Sequence, residues 1–249
     1  MTPARQVATD HTMSFIEPLL TGGVKSILEV GCGNGDLAVA LQQKGHQITG
    51  LDSSEEAIET AKQAGLKAAI CKGFLDFTSS PDRLFDHLLF TRSIHHIQPL
   101  SWVLKKAKSL LKQGGLIVIE DFSYETMDQS TMNWAAALWN FLQMRETLTD
   151  ESKDFYLEGP ALEQWHLHYH KEHAITSGAE ITKLVSENFK VESKEVCPYL
   201  YRYFLKAVGE KIPQEEVQKI LDLEVEAIST SRITAVGLRL VARHEALPS

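Results

Sequence analysis

Cysteine is scarce and scattered. The three present, Cys32, Cys71 and Cys197, form no Cys-x-x-Cys pair. That speaks against a zinc ribbon or a disulfide framework and fits a reducing compartment. Positive charge is short as well. There are 25 Lys and Arg against 33 Asp and Glu, a net charge of −8. Proteins that grip nucleic acid through its phosphates usually carry a basic surface, so DNA or RNA is not the expected partner. No run reaches the roughly 18 apolar residues that a membrane span needs. The N-terminus lacks the basic patch and apolar run of a secretory signal. Internal repeats and low-complexity stretches are missing too. What remains is 249 residues, 43% of them hydrophobic, which is enough for a buried core. A cytoplasmic, soluble protein is expected, with no membrane partner; oligomeric state is left open.

From Lys25 to about Phe122, short apolar runs alternate with amphipathic segments. Ser26–Val30, Gln47–Leu51, Lys67–Ile70, Phe85–Phe90 and Leu116–Glu120 read as strands. Asp36–Lys44 and Pro99–Lys112 read as helices, the second stopped by Gln113-Gly114-Gly115. Ser53 or Ser54 caps another helix, with Glu55 and Glu56 in its first turn, where negative charge suits the helix dipole. Such alternation predicts an α/β, doubly wound, mostly parallel sheet covered on both faces. Ligands then bind beyond the carboxyl ends of the strands. After Phe122 the alternation breaks. Residues 123–177 are rich in Trp, Met, His and Tyr, helical over Met132–Arg145, and read as a helical lid or substrate-recognition insertion. Gly178–Phe189 returns to a helix. Lys190–Val196 and Thr234–Arg243 read as the last strands, with the helix Gln214–Ser229 between them.

Leu28-Glu29-Val30-Gly31-Cys32-Gly33-Asn34-Gly35 carries most of the chemical information. Alternate glycines let the backbone turn sharply and approach a ligand closely. The loop leads into a helix N-terminus, whose free N–H groups attract a carboxylate or phosphate. A dinucleotide site prefers Gly-x-Gly-x-x-Gly. Here the third glycine comes one residue early, and Glu29 precedes the first. A carboxylate there repels a pyrophosphate and suits a ligand with an ammonium and a sulfonium, which disfavours a nicotinamide-dependent oxidoreductase. Asp52 closes the second strand, where a carboxylate can accept both ribose hydroxyls.

These stretches, with Phe85–His96 and Gly114–Glu120, resemble the successive motifs of the class I S-adenosylmethionine-dependent methyltransferases. The likeness covers Ser26–Phe122 and extends to the last two strands. It implies one Rossmann-like methyltransferase domain over residues 1–249, with seven strands and an antiparallel last strand. It implies S-adenosyl-L-methionine as cofactor, the methionine part on Gly31, Cys32, Gly33, Asn34 and Gly35 beside Glu29, and the ribose on Asp52 with Ser53. The turn after the third strand should meet adenine. Many members carry an acid there; this chain has Gly73, leaving the backbone of Phe74 and Leu75, with Asp76 further on.

Methyl transfer from a sulfonium is an in-line displacement, so catalysis asks mostly for alignment, exclusion of water and, for hydroxyl acceptors, removal of a proton. Thr91, Arg92 and Ser93 follow the fourth strand and are cofactor-side candidates by the same resemblance; Arg92 reads equally as a surface ion pair. His95 or His96 suits a general base, since imidazole titrates near neutrality, though a His-His pair also serves simply to hold a loop. In Trp165–His173, a helix would put His166, His170 and His173 on one face, and a strand His166, His168 and His170. Either spacing can bind zinc or iron, but no metal is expected; either the histidines are structural or one faces the substrate. Pro198–Phe204 supplies Tyr199, Tyr201 and Arg202 for an acceptor pocket, or a strand packing alternate aromatics. Residues 1–24, with His11 and Phe15, read as a helical cover. The expected activity is methyl transfer to a small molecule. The alternatives are a regulatory module that keeps the cofactor without transfer, or a methyltransferase acting on tRNA or protein.

Overall fold

The computed structural model describes residues 1–80, 82–144, 161–208 and 212–245. The chain folds as two compact units. The larger comprises Thr9–Asp121, Gly178–Glu195 and Arg239–Ser249; the smaller comprises Met1–Ala8, Phe122–Ser177 and Val196–Leu238.

Seven strands form one sheet: β1 (Ser26–Val30), β2 (Gln47–Asp52), β3 (Ala69–Cys71), β4 (Phe85–Thr91), β5 (Leu111–Phe122), β6 (Lys190–Cys197) and β7 (Gly237–Arg243). Their order is β3-β2-β1-β4-β5-β7-β6. The first five pair in parallel, with Glu29 opposite Gly50 and Leu89, and Thr91 opposite Glu120. β7 runs antiparallel: Gly114 N–H donates to His244 and Ser123 N–H to Val236, so the partner number falls as the strand advances. Ile27, Leu28, Leu88, Leu89, Ile117 and Ile119 are wholly buried, as strands covered on both faces require. β6 is a charged edge strand, exposed except at Cys197, and such charge keeps an edge from pairing with other chains.

The helices follow from local chemistry. α1 (Pro3–Ile16) precedes the sheet; α2 (Asp36–Gln43) starts from Gly35, held at φ 79°. α3 (Glu55–Gln63) is capped by Ser54, whose Oγ accepts from Ala57 N–H at 3.2 Å. α4 (Leu100–Leu110) ends earlier than its sequence suggests. The strand expected at Leu116–Glu120 already begins at Leu111, and the register against β4 shifts between Phe85 and His87. The Gly114-Gly115 pair therefore lies within the irregular start of a strand and does not stop a helix. β3 falls two residues later than Lys67–Ile70 because Leu66 N–H still closes the end of α3 on Ala61.

α5 (Gln129–Met144), α6 (Ala161–Leu167), α8 (Tyr201–Val208) and α9 (Gln214–Ser229) belong to the smaller unit, and α7 (Gly178–Asn188) to the larger. Arg145, the expected end of the first insertion helix, lies outside the described residues, as does part of the 123–177 segment. The smaller unit's core gathers Phe122, Trp139, Trp165, Tyr199 and Phe204; the larger unit's gathers Ile16, Ile27, Leu41, Leu89 and Val241. Among the described residues, no helix is long and apolar enough to cross a membrane.

Candidate active site

The candidate site of the larger unit lies at the carboxyl ends of β1, β2, β4 and β5. The loop after β1 turns because Gly31 sits at φ 72°. A Cβ there would come within 2.5 Å of that of Ser93, so only glycine lets the two loops touch. Gly31 and Cys32 both donate their N–H to the Leu51 carbonyl, at 2.7 and 3.0 Å. Asp52 closes the arrangement. One of its oxygens accepts from Gly33 N–H at 2.8 Å, the other from Ser54 N–H at 2.9 Å. Asn34 and Ser53 are exposed. Cys32 is a packing residue: burial, with Glu29 and Asp52 nearby, pushes its thiol well up, and it stays protonated.

Glu29 is the unusual group. It is 2% exposed, and burial raises its carboxyl to about 8 against the opposing pull of Arg92. Oε1 accepts from the Thr91 hydroxyl at 3.3 Å, whereas Oε2 has no hydrogen-bond partner among the described residues. Ionising a buried carboxyl with an unpaired oxygen is costly, so the group stays largely protonated unless a cation meets it. An ammonium group would satisfy it, and S-adenosylmethionine carries one.

The segment after β4 is held from behind. Thr91 turns its hydroxyl to Glu29, and the Ser93 hydroxyl donates to the Val30 carbonyl at 2.6 Å. Arg92 takes a left-handed backbone at φ 63°, and its guanidinium lies 3.6 Å from Glu120, which makes it an ion-pair residue. Glu120 also accepts from Thr12 at 2.6 Å and Arg239 at 2.8 Å, tying α1 and β7 to the end of β5. His95 is buried, and its Nδ1 bonds a carboxylate oxygen of Asp121. The other Asp121 oxygen accepts from Ile94 N–H at 3.1 Å and His95 N–H at 3.4 Å. His96 is exposed and stacks at a tilt on His95, centroids 4.0 Å apart. Asp121 follows the fifth strand read from the sequence, where ligand-side residues are expected, but neither its role nor that of Glu120 is legible in the sequence, although two acids end an otherwise apolar run.

After β3 a single 3₁₀ turn, Phe74–Asp76, follows Gly73. Phe74 is buried edge-on against Phe90, and the Leu75 carbonyl accepts from Lys106 at 3.3 Å. The turn brings the Asp76 carboxylate back to 3.4 Å from where a Cβ on Gly73 would stand. An acid three residues late is thus returned near the place the sequence leaves to glycine.

In the smaller unit, α6 runs into a π-helical turn, His168–Glu172. The extra residue in that turn replaces the shared face expected for His166, His170 and His173. The rings of His168 and His173 pair instead, at 4.2 Å, while His170 Nδ1 lies 3.3 Å from the Tyr124 hydroxyl. His166 is half-buried. Among the described residues, no group of three or more His, Cys, Asp and Glu is placed to hold a metal. Pro198–Phe204 is not a strand. Buried Glu224 accepts from the N–H groups of Tyr199, Leu200 and Tyr201 at 2.6–2.9 Å, and so starts α8. Tyr201 is fully buried, with the Arg202 guanidinium 4.8 Å from its ring centroid, while Tyr199 stacks on Phe122.

A seven-stranded sheet in this order, with its last strand antiparallel and its glycine loop between β1 and α2, defines a Rossmann-like methyltransferase fold. Residues 5–180, more than half of the chain, match a family described as a methyltransferase domain, and the chain belongs to that family. It is an S-adenosylmethionine-dependent methyltransferase. A ubiquinone biosynthesis O-methyltransferase of Serratia proteamaculans (strain 568) is 26% identical over 195 residues, 70% of this chain and 77% of that protein. One from Yersinia pestis (strain Pestoides F) is 26% identical over 145 residues, 54% of this chain and 58% of its own length. Among solved structures, the plantazolicin methyltransferase BpumL in complex with SAH and a triazolic desmethylPZN analog aligns with TM-score 0.56 and 18% identity, covering 98% of this chain and 86% of its own. The [4+2]-cyclase SpnF aligns with TM-score 0.60 and 16% identity, covering 97% and 83%. Likeness at such identities shows the fold alone.

Proposed function

We propose that this enzyme methylates a small molecule, at an oxygen, in the cytoplasm. The observation that carries the cofactor half is the unpaired buried oxygen of Glu29 beside a glycine loop held by Asp52. The acidic balance and the O-methyltransferases it resembles support the acceptor half. The cofactor, when bound, supplies a methyl group already activated by a sulfonium.

The chain's own residues bind, orient and accept a proton. Glu29 meets the ammonium end, with Gly31, Cys32, Gly33, Asn34 and Gly35 framing the methionine part. Asp52 and Ser53 serve the ribose. Gly73, Phe74 and Leu75, with Asp76, serve the adenine. Thr91 orients Glu29, Ser93 pins the two loops together, and Arg92 sets the backbone between them. His95 is the proton acceptor: with Nδ1 donating to Asp121, Nε2 keeps its lone pair. His96 braces that ring. Residues 123–177 serve the acceptor. His166, His170 and Tyr199 are its candidate contacts, and Arg202, 6.0 Å from the Tyr199 ring and 4.8 Å from that of Tyr201, stands beside Tyr199.

The test is incubation with methyl-labelled S-adenosylmethionine and a panel of hydroxylated metabolites, then separation of small from macromolecular products. Label in a small molecule is expected, with kcat falling in His95→Gln. Label appearing only in protein or RNA overturns the reading.

A further inference from the structure

A row of polar side chains crosses the carboxyl end of the sheet on one face of the larger unit. Glu29 on β1 lies opposite Leu89, two residues before Thr91 on β4, and Thr91 lies opposite Glu120 on β5. Residues two apart on a strand share a face, so the three side chains stand together. Arg239, on the neighbouring β7, ends the row. One layer down, the same four strands give Ile27, Leu89, Val118 and Val241 to a single apolar core. Charge beside such a layer persists only where it is paired.

Glu120 holds the row together. It is buried, and its Oε2 accepts from Nε of Arg239 at 2.8 Å. Arg239 is itself fixed by the His11 carbonyl at 3.1 Å and by the Phe15 ring, 4.8 Å away. The other oxygen, Oε1, accepts from the Thr12 hydroxyl at 2.6 Å and lies 3.6 Å from the Arg92 guanidinium. Arg92 also donates from Nη1 to the Thr12 hydroxyl at 3.4 Å, and from its backbone N–H to the Glu120 carbonyl at 2.8 Å. A non-glycine residue at φ 63° persists only where its surroundings impose it. Its chain neighbours are the two residues that grip the cofactor loop, Thr91 on Glu29 and Ser93 on the Val30 carbonyl.

Burial raises the Glu29 carboxyl, and Arg92 is the charge that opposes it. The Thr91 hydroxyl and the Ala38 N–H act in the same direction as Arg92, and Asp36, at the start of α2, acts against it. Cys32 on the same loop faces both Glu29 and Asp52. We propose that Glu120 is a positioning residue for the cofactor: by holding Arg92 in place it sets how tightly Glu29 grips the ammonium group. Freed from Glu120, the Arg92 side chain, already 36% exposed, turns to water, and Glu29 takes up its negative charge less readily. The inference rests on the reading of Glu29 as the ammonium partner.

The test is the affinity of S-adenosylhomocysteine, measured by calorimetry at pH 7 and pH 9 on the full chain. The proteins are the wild type, Glu120→Gln, Arg92→Gln, their double variant and Arg92→Lys. Glu120→Gln keeps the size of the side chain and one acceptor oxygen. It and Arg92→Gln should each weaken the ligand about 3- to 10-fold at pH 7, where most of Glu29 must ionise on binding, and less than about 2-fold at pH 9, where it is largely ionised in every protein. The double variant should be no weaker than Arg92→Gln alone. Arg92→Lys keeps the charge and should stay within about 2-fold of the wild type. A Glu120 that served structure alone would give the same deficit at both pH values. That result, no deficit at pH 7, or single effects that multiply in the double variant, overturns the proposal. Should Glu120→Gln fail to fold, Arg92→Gln against Arg92→Lys decides, and equal losses in the two overturn it. Failure of the underlying reading looks different: Glu29→Gln would keep the wild-type affinity and pH dependence, or S-adenosylhomocysteine would not bind at all.

Discussion

Glu29 makes cofactor binding a proton-linked event. In the free protein burial holds its carboxyl at about 8, so about 1% of it is ionised at pH 6 and about 24% at pH 7.5. Pairing with an ammonium group favours the carboxylate and pulls that value down. Binding at pH 7 should therefore release about 0.9 proton, and affinity should rise about 25-fold from pH 6 to pH 7.5. Ionising the group at pH 7 costs about 1.4 kcal/mol, against about 1.5–3 kcal/mol from a charge-assisted hydrogen bond. Glu29→Gln should accordingly cost little affinity at pH 6 and progressively more towards pH 7.5, with the proton release gone. The assay is calorimetry with S-adenosylhomocysteine at pH 7 in buffers of different ionisation enthalpy, repeated across the pH range. Heats independent of the buffer, or a pH dependence that survives in Glu29→Gln, would refute the reasoning.

Glu224 gives a stability signature. Burial raises its carboxyl to about 7, against the pull of the three amides it caps. The folded state then holds a proton the unfolded chain has lost, so this contribution is full below about pH 4.5 and is lost as pH rises towards 7. The fall amounts to up to about 3 kcal/mol. Glu29 adds a slope of the same sign up to about pH 8. Thermal melts from pH 5 to 8 should show stability declining and Glu224→Gln flattening part of the decline; an unchanged slope in the variant contradicts the assignment. Asp76→Ala should weaken S-adenosylhomocysteine about 3- to 10-fold while leaving the affinity for methionine-only fragments alone, if the 3₁₀ turn returns an acid to the adenine. Equal affinities of wild type and variant for S-adenosylhomocysteine contradict a role for Asp76 and leave the adenine to the backbone.

The cofactor half of the fold was legible because its strands are apolar on both faces and its helices carry caps. Ser26–Val30 and the glycine loop needed no partner to be read. Boundaries slipped where tertiary hydrogen bonds decided them, as at Leu66, which closes α3 and delays β3. The roles of Thr91 and Ser93 were not legible, since their partners are Glu29 and the Val30 carbonyl, more than sixty positions back. The link between Glu120 and Arg239 spans 119 positions, and a charge pair at such distance leaves no pattern in the chain. Tyr199–Phe204 fits alternation and helical spacing alike. What settles it is a single carboxylate on α9, Glu224, satisfying the first amides of a helix. The π turn at His168 was equally hidden, because one extra residue per turn does not show in composition.

The most direct test of the central claim is the affinity of S-adenosylhomocysteine for the wild type and for Asp52→Ala, measured by calorimetry under one condition. The account predicts binding at about 100 μM or tighter for the wild type, with a 10- to 100-fold loss, about 1.4–2.8 kcal/mol, in the variant. No binding to the wild type, or equal binding to both proteins, would contradict it.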